Sequence, residues 1–173
     1  MVNLKPFIIA LLFLGIGLLF RTAVFADDTA TVTATVHTEL ISVSTSVSSL
    51  DYGLIRFGMA NDLPNPLSMS NTGNVAENFQ IIGSNAVERN DHSKVWVLNS
   101  NSGGINVYRE AFFNDGVGAT PHYFSADSYM SIANNVSPSG NVSLYAMKLE
   151  APSAGSYSGI FDTAIYFRAT KAV

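Results

Sequence analysis

The sequence predicts an all-β protein: an Ig-like or jelly-roll antiparallel β-sandwich that follows an N-terminal signal peptide. Three observations lead there. Apolar and polar residues alternate with period two in several separate stretches, the spacing that puts one face of an extended strand inward. Clusters of Asn, Gly, Ser and Pro that suit turns recur at intervals of roughly 8 to 20 residues. No stretch after residue 30 shows a helical apolar period, and no internal repeat marks a propeller or a solenoid.

The N-terminus reads as an address. Lys5 precedes the uncharged run Pro6 to Phe20, and Arg21 and the segment Thr22 to Ala26 follow it. A basic start, a short apolar stretch and a small-residue end make a signal peptide over residues 1–26, with cleavage expected near Ala26. The run is shorter than the roughly 18 to 20 residues that cross a bilayer, so contact with the membrane is expected only during export. Residues 27–173 then hold seven positive charges against thirteen negative ones, a net charge of −6. That balance offers no basic field for nucleic acid. The absence of cysteine removes disulfides, thiol catalysis and zinc ribbons, and leaves stability to packing or assembly. The expected location is secreted or at the cell surface.

Residues 27–40 form the first unit of the exported chain. From Thr31 to Leu40 the sequence places Val32, Ala34, Val36 and Leu40 on one face, with threonines, His37 and Glu39 on the other. This zigzag predicts a strand that either pairs within its own domain or is donated to a neighbour. At Leu40-Ile41 the apolar phase slips to Ile41, Val43 and Val47, which requires a bulge or a change of sheet. The sandwich proper is expected over residues 41–173, a size that buries a core without covalent staples. Within it, Leu54–Gly58 predicts a short strand, and Pro64 and Pro66 bar a central strand through the following piece. Strands are further predicted at Phe79–Ile82, Val95–Leu98, from Ile105, at Ser131–Val136 and at Val142–Leu149. The best alternation comes last, with Phe161, Thr163, Ile165, Phe167 and Ala169 on one face. Tyr123–Ser131 is the one segment where a short helix is admissible.

No constellation carries catalysis, and no catalytic residue, metal ligand or cofactor is expected. His37, His92 and His122 have no partner at ligand spacing. Glu77, Glu88, Glu110, Asp127 and Glu150 are scattered rather than framed as a pair of acids in a cleft. Asn90-Asp91, Asn114-Asp115-Gly116 and Asp127 supply hard oxygens without a calcium-loop spacing. Trp96 and Tyr108 are candidates for stacking against a sugar ring, and the same residues suit a packed core.

Four strings carry a resemblance: Ser49-Leu50-Asp51-Tyr52-Gly53, Ser70-Asn71-Thr72-Gly73-Asn74, Trp96-Val97-Leu98, and Pro152 to Gly159 with its Gly-x-Tyr-x-Gly end. Together they resemble prokaryotic secreted β-sandwich surface and matrix proteins over roughly residues 40 to 170. The start and the LDYG turn are similar to spore-coat-U-like and pilin-type subunits, whose usual disulfide is missing here. The Trp-x-Leu strand is similar to WxL-type surface proteins. The resemblance implies a structural or adhesive protein of the cell surface or extracellular matrix, not an enzyme. For a fibre subunit, the resemblance implies assembly into a homo-oligomer or fibre by donation of the N-terminal strand, with Val32, Ala34, Val36 and Leu40 as the inserted face; pairing of that strand within its own domain is the other reading. The alternative is a carbohydrate-binding module that takes surface glycans on Trp96 and Tyr108.

Overall fold

Alternation, where it is clean, becomes strand, and the strands sort into two facing layers. The computed structural model describes residues 35–36, 38–114 and 119–173. The signal peptide expected over 1–26 lies outside them, as does most of the expected N-terminal strand. In chain order the strands are β1 (Val43–Thr45), β2 (Ala60–Pro64), β3 (Ser68–Asn71), β4 (Glu77–Gly83), β5 (Ala86–Glu88), β6 (Val95–Leu98) and β7 (Val107–Phe113). There follow β8 (His122–Tyr123), β9 (Met130–Val136), β10 (Asn141–Ser143), β11 (Ala146–Glu150), β12 (Phe161–Asp162) and β13 (Ile165–Lys171).

One layer runs β12-β5-β6-β7-β11-β2, with β8 also paired to β7. The other comprises two three-stranded sheets, β1-β3-β10 and β13-β4-β9, whose central strands β3 and β4 follow each other in the chain. β1 and β13 flank them on one side, and β10 and β9 on the other. Period-two burial fills the space between the layers. Met69, Phe79 and Ile81 face inward from β3 and β4, while Phe112, Met147 and Leu149 face inward from β7 and β11, and all lie in one buried cluster.

Two pairs of strands cross from one layer to the other together. β2 pairs β11 in the first layer and β3 pairs β10 in the second, so the chain passes over at 65–67 and returns at 144–145. Leu144 donates its N–H to Leu67 O in one layer, and Tyr145 donates to Phe113 O in the other. Likewise β4 and β13 pair in the second layer, while β5 and β12 pair in the first. That second corner is pinned by side chains. Tyr108 Oη and Thr163 Oγ1 both donate to Ser84 O, at 2.5 and 3.0 Å, and Ala164 N–H donates to Ser84 Oγ at 2.9 Å. Gly83 leads into this corner because a Cβ there would stand 2.4 Å from Leu98 and 2.8 Å from Phe124.

Several sequence expectations need correction. Leu54–Gly58 is not a strand; the chain turns at 57–58 and strand begins at Ala60, where polar Ala60–Pro64 serves as an edge ending on its proline. Val142–Leu149 is not one strand, because it changes layers at Leu144-Tyr145. Tyr123–Ser131 holds no helix: β8 ends at Tyr123, and Ser125 Oγ accepts the N–H groups of Asp127 and Ser128 and so diverts them into a turn. The layers are not purely antiparallel, since β6 and β7 run parallel, with Val97 opposite Val107 and Leu98 opposite Tyr108.

Candidate functional site

The Asn71–Asn74 turn is densely hydrogen-bonded to the segment that leads into β1. Asn71 is buried: its Oδ1 accepts the Gly73 N–H, and its Nδ2 donates to Val75 O and Val136 O, at 2.8 to 2.9 Å. Asn74 holds the incoming chain by three hydrogen bonds. Its Oδ1 accepts the Leu40 N–H at 2.7 Å, its own N–H donates to Leu40 O at 3.0 Å, and its Nδ2 donates to Thr38 O at 2.7 Å. Thr72 N–H donates to Ser42 O at 2.8 Å, and Ser42 N–H donates to Glu77 Oε1 at 2.7 Å. Gly73 permits this closeness, because a Cβ would fall 2.2 Å from Leu40 O and 2.4 Å from Glu77 Oε1. The Glu77 carboxylate is fully buried, and its Oε2 has no protein partner.

The ladders above and below this point leave one slot filled. β1 runs antiparallel to β3, from Thr45 opposite Met69 to Val43 opposite Asn71. Further along the same side, β13 runs antiparallel to β4, from Lys171 opposite Glu77 to Ile165 opposite Gly83. β13 thus occupies the position on β4 that lies in line with β1 on β3. Both chain segments meet at this junction: Ala172 N–H donates to Ala76 O at 2.9 Å, and Lys171 Nζ pairs with Glu39 Oε1 at 2.6 Å. Of the expected donor face, Val32 and Ala34 lie outside the described residues. Val36 is 85% exposed and Leu40 55% exposed, with the Leu40 backbone fixed by Asn74.

The expected sugar-stacking residues sit elsewhere and apart in role. Tyr108 is completely buried at the pinned corner, so its ring has no face for a ligand. Trp96 is half-buried, with Phe161 stacked on it at 3.9 Å and Phe57 tilted against it at 5.9 Å. Its Nε1 is buried without a partner.

The acids divide by strand parity. Glu110 shares the inward face of β7 with Tyr108 and Phe112, and the Tyr52 hydroxyl of the LDYG turn donates to its Oε1 at 2.7 Å. Burial pushes the Glu110 carboxyl up to about 7, and the Tyr52 hydrogen bond opposes the rise. Glu150 points from the other face of the layer, opposite Arg109. Arg109 donates to its Oε2 at 2.8 Å, Tyr123 donates to its Oε1, and Lys148 pairs at 3.4 Å. Burial pulls the Glu150 carboxyl upward, but Arg109 and Tyr123 outweigh it and hold it below the usual range. The Arg109 guanidinium lies 3.7 Å over the Tyr123 ring. Glu150 also lines an open hollow of about 380 Å³ with Gly58, Met59, Ala60, Gly103, Ala151 and Ser153.

Glu88 is an internal acceptor whose Oε2 takes the N–H groups of Asn90 and Asp91, at 3.0 and 2.5 Å. Asp91 in turn accepts from Ser93 and pairs with Lys94 at 3.2 Å. His92 is exposed, and His122 stacks on Phe112 at 5.1 Å. Among the described residues, no three acids or histidines converge to hold a metal ion. His37 and the Asp115–Gly116 pair lie outside them. What strand reasoning missed is the clamp of Asn74 and Glu77 on Leu40 and Ser42, and the Tyr52–Glu110 contact. Parity was the available signal for the second, because Glu110 alternates with Tyr108 and Phe112. No protein-family model matches this chain, and no curated protein matches it.

Proposed function

We propose that this protein is an exported structural or adhesive component of the cell surface or extracellular matrix, whose subunits associate through the N-terminal strand. The observation that carries the reading is the occupied slot beside β4. The chain is clamped at Leu40 and Ser42, and β13 fills the place where a strand continuing β1 would lie. The zigzag of Thr31 to Val36 carries an apolar row on one face of an extended backbone. A sheet edge on a second copy would satisfy both the row and its backbone groups. The apolar, uncharged run Pro6–Phe20 supports export.

Gel filtration and negative-stain microscopy test this on residues 27–173 and on a chain starting at Thr38, which keeps the Asn74 and Glu77 clamps. The longer chain forms oligomers or fibres and the shorter one stays monomeric. If both are monomeric, the reading is wrong.

A further inference from the structure

Most strand edges in the described fold are blunted. β1, β8, β10 and β12 have only two or three residues each. β2 ends on Pro64 and presents Asp62. The register of β9 against β4 shifts twice, and Asn135 adopts a φ of 57°, so this edge is bent out of line.

β13 is different. Its seven residues pair with β4 in unbroken register, and among the described residues no strand lies on its other flank. Its positive charges do not guard that flank. Arg168 is drawn inward across the sheet, where Nε and Nη2 donate to Gln80 Oε1 at 3.0 and 2.6 Å and the guanidinium lies 3.7 Å over Tyr129. Lys171 is held by Glu39. Ile165, Phe167 and Ala169 pack against the core yet remain half-buried, which leaves an apolar row partly uncovered along an open backbone edge.

Resting on the assembly reading above, we propose that the open edge of β13 receives residues 30–36 of a second copy of this chain as an added antiparallel strand. Seven residues match seven in length. Pairing Val36 with Ile165, Ala34 with Phe167 and Val32 with Ala169 sets small against large along the inner face. It also places Thr31 opposite Thr170 on the outer one. In this direction Ala30 faces Lys171, and Asp28 becomes its diagonal neighbour, so the acidic start of the exported chain meets the basic end of β13. The same segment folded back on its own β13 would run parallel, because Glu39 sits at Lys171. Asp28 would then lie at the far, Ile165 end.

Because the chain contains no cysteine, single introduced thiols report the contact. Full-length chains carrying Val32→Cys are mixed with mass-labelled chains carrying Ala169→Cys, and separately with chains carrying Asn134→Cys on β9. After mild oxidation, the heterodimer of V32C with A169C is expected in about tenfold excess over that of V32C with N134C, since a disulfide forms only between closely apposed positions. Equal yields, or association without either cross-link, overturn the β13 assignment and leave the assembly reading standing. Absence of any association overturns both. A chain bearing Val32→Cys and Ala169→Cys together should give a ladder of linked oligomers. An intrachain bond in its place would mean that the strand pairs within its own subunit, and the proposal fails.

Discussion

Replacing Glu110 by glutamine isolates the cost of keeping a carboxyl inside the sandwich. Burial raises the group from an ordinary value of 4.5 to about 7. Between those two values the native protein retains a proton that the unfolded chain has released. The stability that this provides is complete below pH 4.5, falls as the pH climbs, and is lost once the pH has passed through about 7. At about 1.4 kcal/mol per pH unit, the displacement is worth roughly 3 kcal/mol. Glutamine keeps the shape, still accepts the Tyr52 hydroxyl and does not titrate. The stability of Glu110→Gln minus that of the wild type should therefore grow by roughly 3 kcal/mol from pH 4.5 to pH 8. At about 2 to 4 °C per kcal/mol for a domain of this size, the melting temperatures separate by a further 6 to 12 °C or so. Urea titrations and thermal melts of both proteins at half-unit pH steps measure this. The rest of the chain titrates alike in the two, so only the difference matters. A difference that stays constant within about 0.5 kcal/mol over the whole range would show that this carboxyl ionises normally, and the account of its burial would be wrong.

Gly73→Ala forces a Cβ against the Leu40 carbonyl and should cost about 2 to 3 kcal/mol, read as a lower urea midpoint, with new protease cleavage before Ser42. Trp96→Ala removes the ring packed on Phe161 and Phe57 and should cost about 3 kcal/mol by calorimetry; an unchanged melting temperature would return Trp96 to the surface. Arg89→Ala breaks an ion pair whose two side chains are each 57% exposed and should leave the melting temperature unmoved. Arg109→Ala strips Glu150 of its main partner and uncovers Tyr123, and should cost about 1 to 2 kcal/mol in urea titrations.

The strands with a clean inner row were readable in the sequence. Phe79 and Ile81 mark β4, and Ile165, Phe167 and Ala169 mark β13, because in each case one face packs on the core; the same series continued back through Phe161 and Thr163, however, where the chain changes sheets between β12 and β13. β2 was not readable: Ala60–Pro64 is polar and nearly all exposed, and it is a strand only through its backbone pairing with β11. Strand direction was equally hidden at β6, since Val95–Leu98 is apolar throughout and gives the same pattern in parallel and antiparallel ladders. The crossings at 65–67 and 144–145 were hidden because a local alternation carries no record of which sheet each half joins. At the site, the NTGN turn was legible as a turn. Its grip on Leu40 was not, since that contact joins residues 34 apart. Tyr108 and Trp96 show the same limit. An aromatic ring looks alike in sequence whether it stacks on a ligand or packs into a core, and both readings were open for these two.

The paired crossings take on a task that this chain cannot assign to sulfur. Each pair of strands belongs to both layers at once, so the layers cannot delaminate by losing side-chain contacts alone; covalent backbone joins them at both places. To peel one layer away, hydrogen bonds in the other must open as well, which couples the two into one cooperative unit. Amide exchange should accordingly show Phe79 and Ile81 on one side, and Phe112 and Met147 on the other, released in a single event. A sandwich joined this way resists shear between its faces without any oxidising step to set it.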